Sequence, residues 1–346
     1  MGPADTDVTV RGAGIFGLSV AWVCQQRGAR VTVIDPHGVG AGSSGGIVGA
    51  LAPHVPELWN PKKAFQLDSL LAAEAFWAEV RQAGGADPGY SRTGRLQPLA
   101  DDAAVDRARD RAAQAATLWQ GRATWEVVPA PRGWSPASPT GLVVHDTLSA
   151  RMHPRRACDA LAAAIRARGG TILPDAPERG AVVHATGAAG LAELGQATGR
   201  AIGTGIKGQA ALLDFDARDL PQLFCDGVHV VPHGDGTTAI GSTTEREAAD
   251  PVSTDDRLDA VIAAARAAVP LLAGAPVLAR WAGLRPRARS RAPVLGAWPG
   301  RPGHFVANGG FKIGFGMAPG VARCMADLVL DGRVTYPPDF ELAALV

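Results

Sequence analysis

The chain has 346 residues, of which 47% are hydrophobic, and a net charge of +1 at pH 7. That length suggests roughly two domains. The near-zero charge excludes a general nucleic-acid binder, which carries a strong basic excess. No apolar run reaches the length of a membrane span, and Cys24, Cys158, Cys225 and Cys324 stand too far apart for a C-x-x-C pair, so no metal site is expected.

The chain starts without the basic and apolar stretches of a signal peptide. Met1 to Thr6 fits the loose pattern for N-terminal acylation, but a strand follows almost at once. A cytoplasmic protein with free thiols is the expectation. Basic residues are nearly all Arg; the only lysines are Lys62, Lys63, Lys207 and Lys312.

Val8-Thr9-Val10 reads as a buried strand, followed directly by Gly12-Ala13-Gly14-Ile15-Phe16-Gly17. Leu18 to Arg27 reads as a helix ended by Gly28, and Arg30 to Ile34 as a second strand ending at Asp35 and Pro36. In that context the glycines have separate tasks. Gly12 permits the tight turn, Gly14 lets backbone approach a pyrophosphate, and Gly17 lets helix and strand pack closely. The helix N-terminus offers free N–H groups to phosphates, and Asp35 sits where a carboxylate can accept bonds from ribose hydroxyls.

This loop alone does not choose between NAD and FAD. The run Gly38 to Ala50, with Gly42, Ser43, Ser44, Gly45, Gly46 and Ile47, lets backbone pass close to a bulky flat ligand; a flexible loop would have a similar composition. His54 follows it, either lining a site or structural. Ala64 to Ala83 has helical apolar spacing and ends at Gly84-Gly85. Asp101 to Trp119 is a second, Ala- and Arg-rich helix, 129–139 a loop, and about 154–168 a third helix. Val182-Val183-His184 then leads to a glycine turn at Gly187.

These motifs, with Gly205 to Gln209, Gly241 to Glu245, Trp281-Ala282-Gly283-Leu284-Arg285-Pro286 and the stretch Asn308 to Pro319, resemble the D-amino acid oxidase-like flavoproteins. The glycine oxidase and sarcosine oxidase branches are the nearest in motif. The resemblance runs through nearly the whole chain and is strongest at its two ends. It implies an α/β fold in which a Rossmann-like FAD-binding domain is interleaved with a smaller α+β substrate domain on a mostly antiparallel sheet. The flavin domain would use 1–80, 145–203 and 281–346, and the substrate domain 81–144 and 204–280.

By the same resemblance, FAD would be held by the first glycine loop, Asp35, Pro36, the 42–47 run, Gly187 and the final loop Gly310, Phe311, Lys312, Ile313, Gly314, Phe315 and Gly316, with a helix from about Gly320 to Leu330. Arg285 maps onto the residue that binds the substrate carboxylate, and a planar Arg fork suits that task. Lys312 falls where these enzymes carry a second cation. A structural ion pair at Arg285 and a solvent-facing Lys312 are the alternatives.

The chain also departs from the family pattern. No Cys lies near Gly283, where sarcosine oxidases link their flavin, so the FAD is expected to be non-covalent. Ser290 stands where an Asp is frequent, within Arg285, Arg287, Arg289 and Arg291; on a strand their alternation would place four arginines on one face, as a site for an extra anionic group of the substrate, and a solvated face or loop is the preferred alternative. The segment between about 168 and 182 is short, and Tyr90 and Tyr336 are the only tyrosines.

The implied reaction is oxidation of the C–N bond of a small amino acid or N-alkyl amino acid, by hydride transfer to flavin N5. The partners would be a small carboxylate substrate and oxygen or another electron acceptor, with no nucleic acid. A flavin-dependent 2-hydroxy acid oxidase and a non-catalytic flavin-binding protein are the other readings. The substrate and the oligomeric state stay open.

Overall fold

The computed structural model describes residues 6–248 and 250–346; most of the Met1-to-Thr6 acylation pattern lies outside the described residues. β1 (Asp7–Arg11) buries Val8, Thr9 and Val10 together. Burial on both faces is what a central strand of a parallel sheet requires. The chain turns at Gly12, with φ 105°, into α1 (Ile15–Gln26), which is buried from Ile15 through Gln25. The helix starts three residues before the Leu18 predicted from sequence. Its first N–H, that of Ile15, is taken by the distant Ser44 hydroxyl at 3.0 Å, a partner that local sequence does not reveal. β2 (Arg30–Ile34) lies parallel to β1.

A short strand, β3 (Ala50–Leu51), precedes α2 (Pro61–Gly84). Asn60 caps α2 by accepting the Lys63 N–H at 3.1 Å, and Pro61 occupies the first turn, so the helix opens earlier than Ala64. It stops at Gly85, in the left-handed region with φ 73°. Next come β4 (Arg95–Pro98), α3 (Asp102–Trp119), β5 (Trp125–Pro129), β6 (Leu142–Asp146), β7 (Ala150–Arg151), α4 (Pro154–Ala167) and β8 (Thr171–Leu173). β9 (Ala181–His184) and α5 (Gly187–Thr198) follow, then β10 (Gly203–Leu213), β11 (Gln222–Cys225), β12 (Val228–Pro232) and β13 (Thr238–Gly241). The chain ends with α6 (Asp256–Ala268), β14 (Val277–Ala288), β15 (Val294–Ala297), β16 (His304–Asn308) and α7 (Gly314–Asp331).

Two large sheets result. A six-stranded sheet has the order β15-β16-β9-β1-β2-β8 and is parallel except for the β15–β16 pair. An eight-stranded sheet has the order β14-β10-β13-β12-β11-β4-β6-β5 and is antiparallel except where β11 meets β4. β14 pairs with β10 along its length, from Val277 to Ala288. The strand therefore runs through residue 281 without a break, and residues 281–288 sit in the second sheet although the range read from sequence gave them to the flavin unit. No turn residue interrupts the strand at that point.

One other expectation changes, and the arginine cluster follows the loop alternative. α7 begins at Gly314, not near Gly320, with Pro319 inside it. The buried N–H of Gly320 is held by the Ser69 hydroxyl of α2 at 3.0 Å. The four arginines do not share a strand face: β14 ends at Ala288, Arg289 reaches the Leu345 carbonyl at 3.2 Å, and Arg291 sits at φ 58° in a turn.

α1, α2, α4 and α7 share one core with β1 and β2, centred on Trp22, Trp77, Leu161 and Met317. α6 packs on the far face of the eight-stranded sheet, where Leu258 and Ile262 meet Ala211, Val230 and Ile240. The near face is left to the cleft described below. No described helix is long and apolar enough to cross a membrane. Among the described residues no cluster of three or more His, Cys, Asp or Glu side chains is arranged to hold a metal ion.

Candidate functional site

A cleft of about 940 Å³ runs between the C-terminal ends of β1, β2 and β9 and the near face of the eight-stranded sheet. That is the upper range of ligand cavities, and such a crevice at strand ends is where open α/β sheets bind ligands. Of the residues singled out from sequence it brings together Gly12, Gly14, Ile15, Phe16, Asp35, Pro36, Gly42, Ser43, Ser44, Gly46, Ile47, Gly187, Arg285, Gly310, Phe311, Lys312, Gly314 and Phe315.

Four expected cofactor residues lie behind the lining. A Cβ on Gly17 would collide with the Gly12 carbonyl, and one on Gly45 with the Gly40 carbonyl. Gly316 packs on Leu70, and Ile313 is the N-cap of α7, its carbonyl accepting the Met317 N–H at 3.0 Å. His54 is also outside the cleft. Gln66 of α2 accepts from its backbone N–H at 2.8 Å and meets its ring Nδ1. This side chain anchors the chain ahead of α2, and burial pushes its pKa below the usual value.

At one end of the cleft the glycine loop is held rigidly. Asp35 Oδ2 accepts the Ala13 N–H at 2.8 Å, and Oδ1 accepts the His37 N–H at 2.9 Å. Gly12 lies so close to the Ala185 carbonyl that any side chain would collide with it. Gly14 supplies no side-chain cap to α1, and Ser44 takes only the Ile15 N–H, so the other N–H groups of the first turn and the positive end of the dipole face the cleft. A Cβ on Gly14 would crowd the Ser44 hydroxyl at 3.1 Å.

The middle of the cleft is a slot floored by small residues. Strand register places Trp281, Ala210, Gly241, His229 and Phe224 side by side across β14, β10, β13, β12 and β11. Gly208 and Gly283 lie on the same face, two residues along their strands. The opposite wall is Gly46, Ile47 and Val48: the Trp281 ring closes on Gly46 and Gly283, and Val48 on Gly241. His233 Nε2 and the Ile47 carbonyl, 2.9 Å apart, tie that wall to β12.

Two cations close the far end. The Arg285 guanidinium lies directly over Gly208, where even a methyl would overlap it. Its Nη1 donates to the Thr243 carbonyl at 3.1 Å. Thr243 is fixed in turn, because its hydroxyl donates to Glu245, which also accepts from Gln209 at 2.8 Å and pairs with Arg257 at 2.7 Å. Lys207 supports the same strand end through Asp255 at 3.4 Å. Burial pushes Arg285 down to about 10, with the charge of Glu245 acting against it. Lys312 is lowered by burial and then by Arg285. Neither cation forms an ion pair among the described residues. At about 10, Arg285 remains charged at neutral pH.

Lys312 and Arg287 each stand 5.8 Å from the centre of the Phe311 ring. Phe311 itself has φ 43°, a strained conformation for a bulky residue and one that collects at functional sites. The Phe16 ring packs on Gly310, so the first and last motifs of the chain meet at the cleft.

His229 and Phe224 escaped the sequence reading. A single His in a short Val-rich strand carries no signal; only the pairing of β12 with β13 puts it on the cleft face. Burial, reinforced by Arg95, Lys312 and Arg285, pushes His229 down to about 3, so its ring is neutral.

A family model described as FAD dependent oxidoreductase matches residues 7–328. A glycine oxidase of Pseudomonas aeruginosa is 36% identical over 129 residues, a match that spans 37% of this chain and 35% of the relative's length. The bifunctional tRNA 5-methylaminomethyl-2-thiouridine biosynthesis protein MnmC of Maricaulis maris is 29% identical, covering 95% of this chain and 52% of the relative. Among solved structures, the glycine oxidase of Geobacillus kaustophilus superposes with a TM-score of 0.83 at 24% identity, over 97% of this chain and 98% of that one. The iminodiacetate oxidase of Chelativorans sp. BNC1 gives 0.82 at 21% identity, over 95% and 97%. At those identities the superpositions establish a shared fold.

Proposed function

The chain belongs to the DAO family of FAD-dependent oxidoreductases, and from that premise we propose that it oxidises the C–N bond of a small amino acid or N-alkyl amino acid. FAD is the cofactor of this family, and the residues present fit it: a glycine loop with no side chains in the way, an open helix N-terminus, and a slot with a floor of glycine and alanine. In this reading the N–H groups of Gly14 and Phe16 hold the pyrophosphate, with the Ile15 N–H already taken by Ser44, and the remaining lone pairs of Asp35 accept from a ribose hydroxyl. Gly46 to Val48 and the Ala210–Gly241 floor clasp the flat ring system without a covalent link, and the loop Gly310 to Phe315 closes the slot. When bound, FAD supplies the acceptor for the hydride that leaves the substrate carbon next to nitrogen.

The single observation that carries the substrate reading is the pair of unpaired cations at the end of the slot, Arg285 and Lys312. Two donors on the cleft wall, Arg285 half-buried and Lys312 exposed, with no carboxylate side chain paired to them among the described residues, recognise a carboxylate of the substrate. Arg285 presents a planar fork fixed over Gly208, so it sets the direction of the substrate as well as its charge. Lys312 adds a second donor on the side of the final loop. The half-buried cleft limits water around the reacting carbon, and the protein's contribution is orientation and electrostatics. The relatives point the same way: glycine oxidases recur among them. Oxygen or another acceptor would return the electrons.

The test is an anaerobic screen of amino acids, N-methyl amino acids and 2-hydroxy acids against the purified, FAD-loaded protein, followed by loss of the yellow flavin absorbance. Bleaching by glycine, sarcosine or another small amino acid is expected. Bleaching by 2-hydroxy acids alone would overturn the reading.

A further inference from the structure

Three Lys or Arg side chains line the cleft, Arg11, Arg285 and Lys312, and only Arg11 has no part in the carboxylate grip. It is the last residue of β1. Strand register places it beside Ile34 of β2 on one side and His184 of β9 on the other. Central strands of parallel sheets are apolar where both faces are covered, and Val8 and Val10 of β1 follow that rule. Arg11 ends the strand where the sheet opens to the cleft, and its side chain is 44% exposed. Its guanidinium is held all the same, because Nη1 donates to Glu178 Oε1 at 2.8 Å. Glu178 is fixed in turn through its neighbour Arg179. The Thr9 hydroxyl accepts the Arg179 N–H at 2.8 Å and donates to the Arg179 carbonyl at 2.9 Å. Thr9 and Arg11 lie two residues apart, on one face of β1. One edge of the guanidinium is thus occupied, and among the described residues no aromatic ring covers its flat face.

We propose that Arg11 binds the adenine of FAD, its guanidinium stacked flat against the base while Glu178 holds it by one edge. The inference rests on FAD as the cofactor and is independent of the substrate. With the pyrophosphate at the start of α1, the adenosine ribose falls at Asp35. Asp35 follows Ile34, the register partner of Arg11, so the ribose acceptor and the guanidinium leave neighbouring strand ends. The base carried by that ribose meets the lining around Asp35, which is Arg11, Ile34, Pro36 and His37. Ile34 and Pro36 offer apolar contact, and Arg11 offers a planar cation. Nucleobases stack on guanidinium planes, where the cation faces the π system of the ring. The irregular segment 174–180 between β8 and β9 lines no part of the cleft. It reaches the nucleotide end only by holding Arg11 in place.

The experiment dilutes the FAD-loaded full-length protein and reads released FAD by its fluorescence, for the wild type, Arg11→Ala, Arg11→Lys and Arg11→Tyr. Arg11→Ala is expected to weaken FAD about 10-fold, at the lower end of what one stacked base contributes. Arg11→Tyr restores a flat face without charge and should recover most of that affinity. Arg11→Lys restores a charge and a partner for Glu178 without a flat face, and should recover little. Recovery by Lys but not by Tyr would reduce Arg11 to its charge and overturn the proposal. Recovery by neither would make the guanidinium a hydrogen-bond donor instead of a stacking surface, and would overturn it as well. So would an unchanged FAD affinity in Arg11→Ala. A wild-type protein that holds no FAD would overturn the cofactor assignment itself, a result distinct from all of these.

Discussion

The position of Arg285 depends on a residue that has no side chain. Its guanidinium occupies the space above Gly208, so Gly208→Ala should push it out of the cleft without altering its charge. Arg285→Ala removes the same grip directly. Each charge-assisted hydrogen bond is worth about 1.5–3 kcal/mol when desolvated. Loss of a two-point grip should therefore weaken a carboxylate substrate or acetate by about 100-fold. Flavin retention should be unaffected in both variants, because neither touches the glycine loop. Titration of acetate against each holoenzyme checks this, and acetate binding unchanged in Arg285→Ala would remove Arg285 from the carboxylate site. Arg285→Lys should recover charge but not the fork, and so only part of the affinity.

At the scale of elements, the joint between β1 and α1 limits what the chain tolerates. Gly17 passes so close to the Gly12 carbonyl that a single methyl forces backbone apart. Gly17→Ala should cost a few kcal/mol, in the range of over-packed cores, and should also loosen the N–H groups aimed at the phosphates. The expected outcome is a lower melting temperature together with flavin lost on gel filtration. A variant that keeps its flavin and its melting temperature would contradict this packing.

This joint was also the most legible part of the fold. A run of strand, glycine turn, helix, strand and terminal acid is local, and local physics decides it. β1, β2 and the lining residues from Gly12 to Phe16 could be read for that reason. The early start of α1 was not legible, because its capping hydroxyl belongs to Ser44. The start of α7 at Gly314 was hidden for a related reason: Gly314, Gly316, Pro319 and Gly320 are poor helix formers, and their helix is sustained by packing on α1 and α2, Gly320 against Phe65 among them. His229 was illegible for a longer-range reason. Its place on the cleft face is set by pairing with Gly241, and sheet register is a property of two segments at once.

Neutral buried histidines, one bridging the cleft and one inside the six-stranded sheet, make the stability of the whole molecule sensitive to acid. His233 Nε2 meets the Ile47 carbonyl at 2.9 Å, joining the eight-stranded sheet to the wall of the slot. His184 of β9 meets His304 of β16 at 3.0 Å inside the six-stranded sheet. Burial pushes both rings from the ordinary 6.5 to about 4, with the neighbouring His153 and His304 adding to the effect. A folded-state pKa below the unfolded value means that the unfolded chain binds more protons between about pH 6.5 and about pH 4. The stability these rings contribute is full above about pH 7 and falls as the pH drops through that window. Each contributes up to about 1.4 kcal/mol per pH unit, as does His229, and the three together up to about 4. Carboxylates lowered by arginine partners, such as Glu57 beside Arg111, lose their contribution only at lower pH. Urea unfolding of the FAD-loaded protein, at fixed FAD concentration, should show a clear loss between about pH 7 and about pH 5. His233→Gln keeps a donor for the Ile47 carbonyl but cannot take up a proton, so it should remove about a third of that slope at most. If the slope in His233→Gln equals that of the wild type, the acid sensitivity arises elsewhere in the molecule.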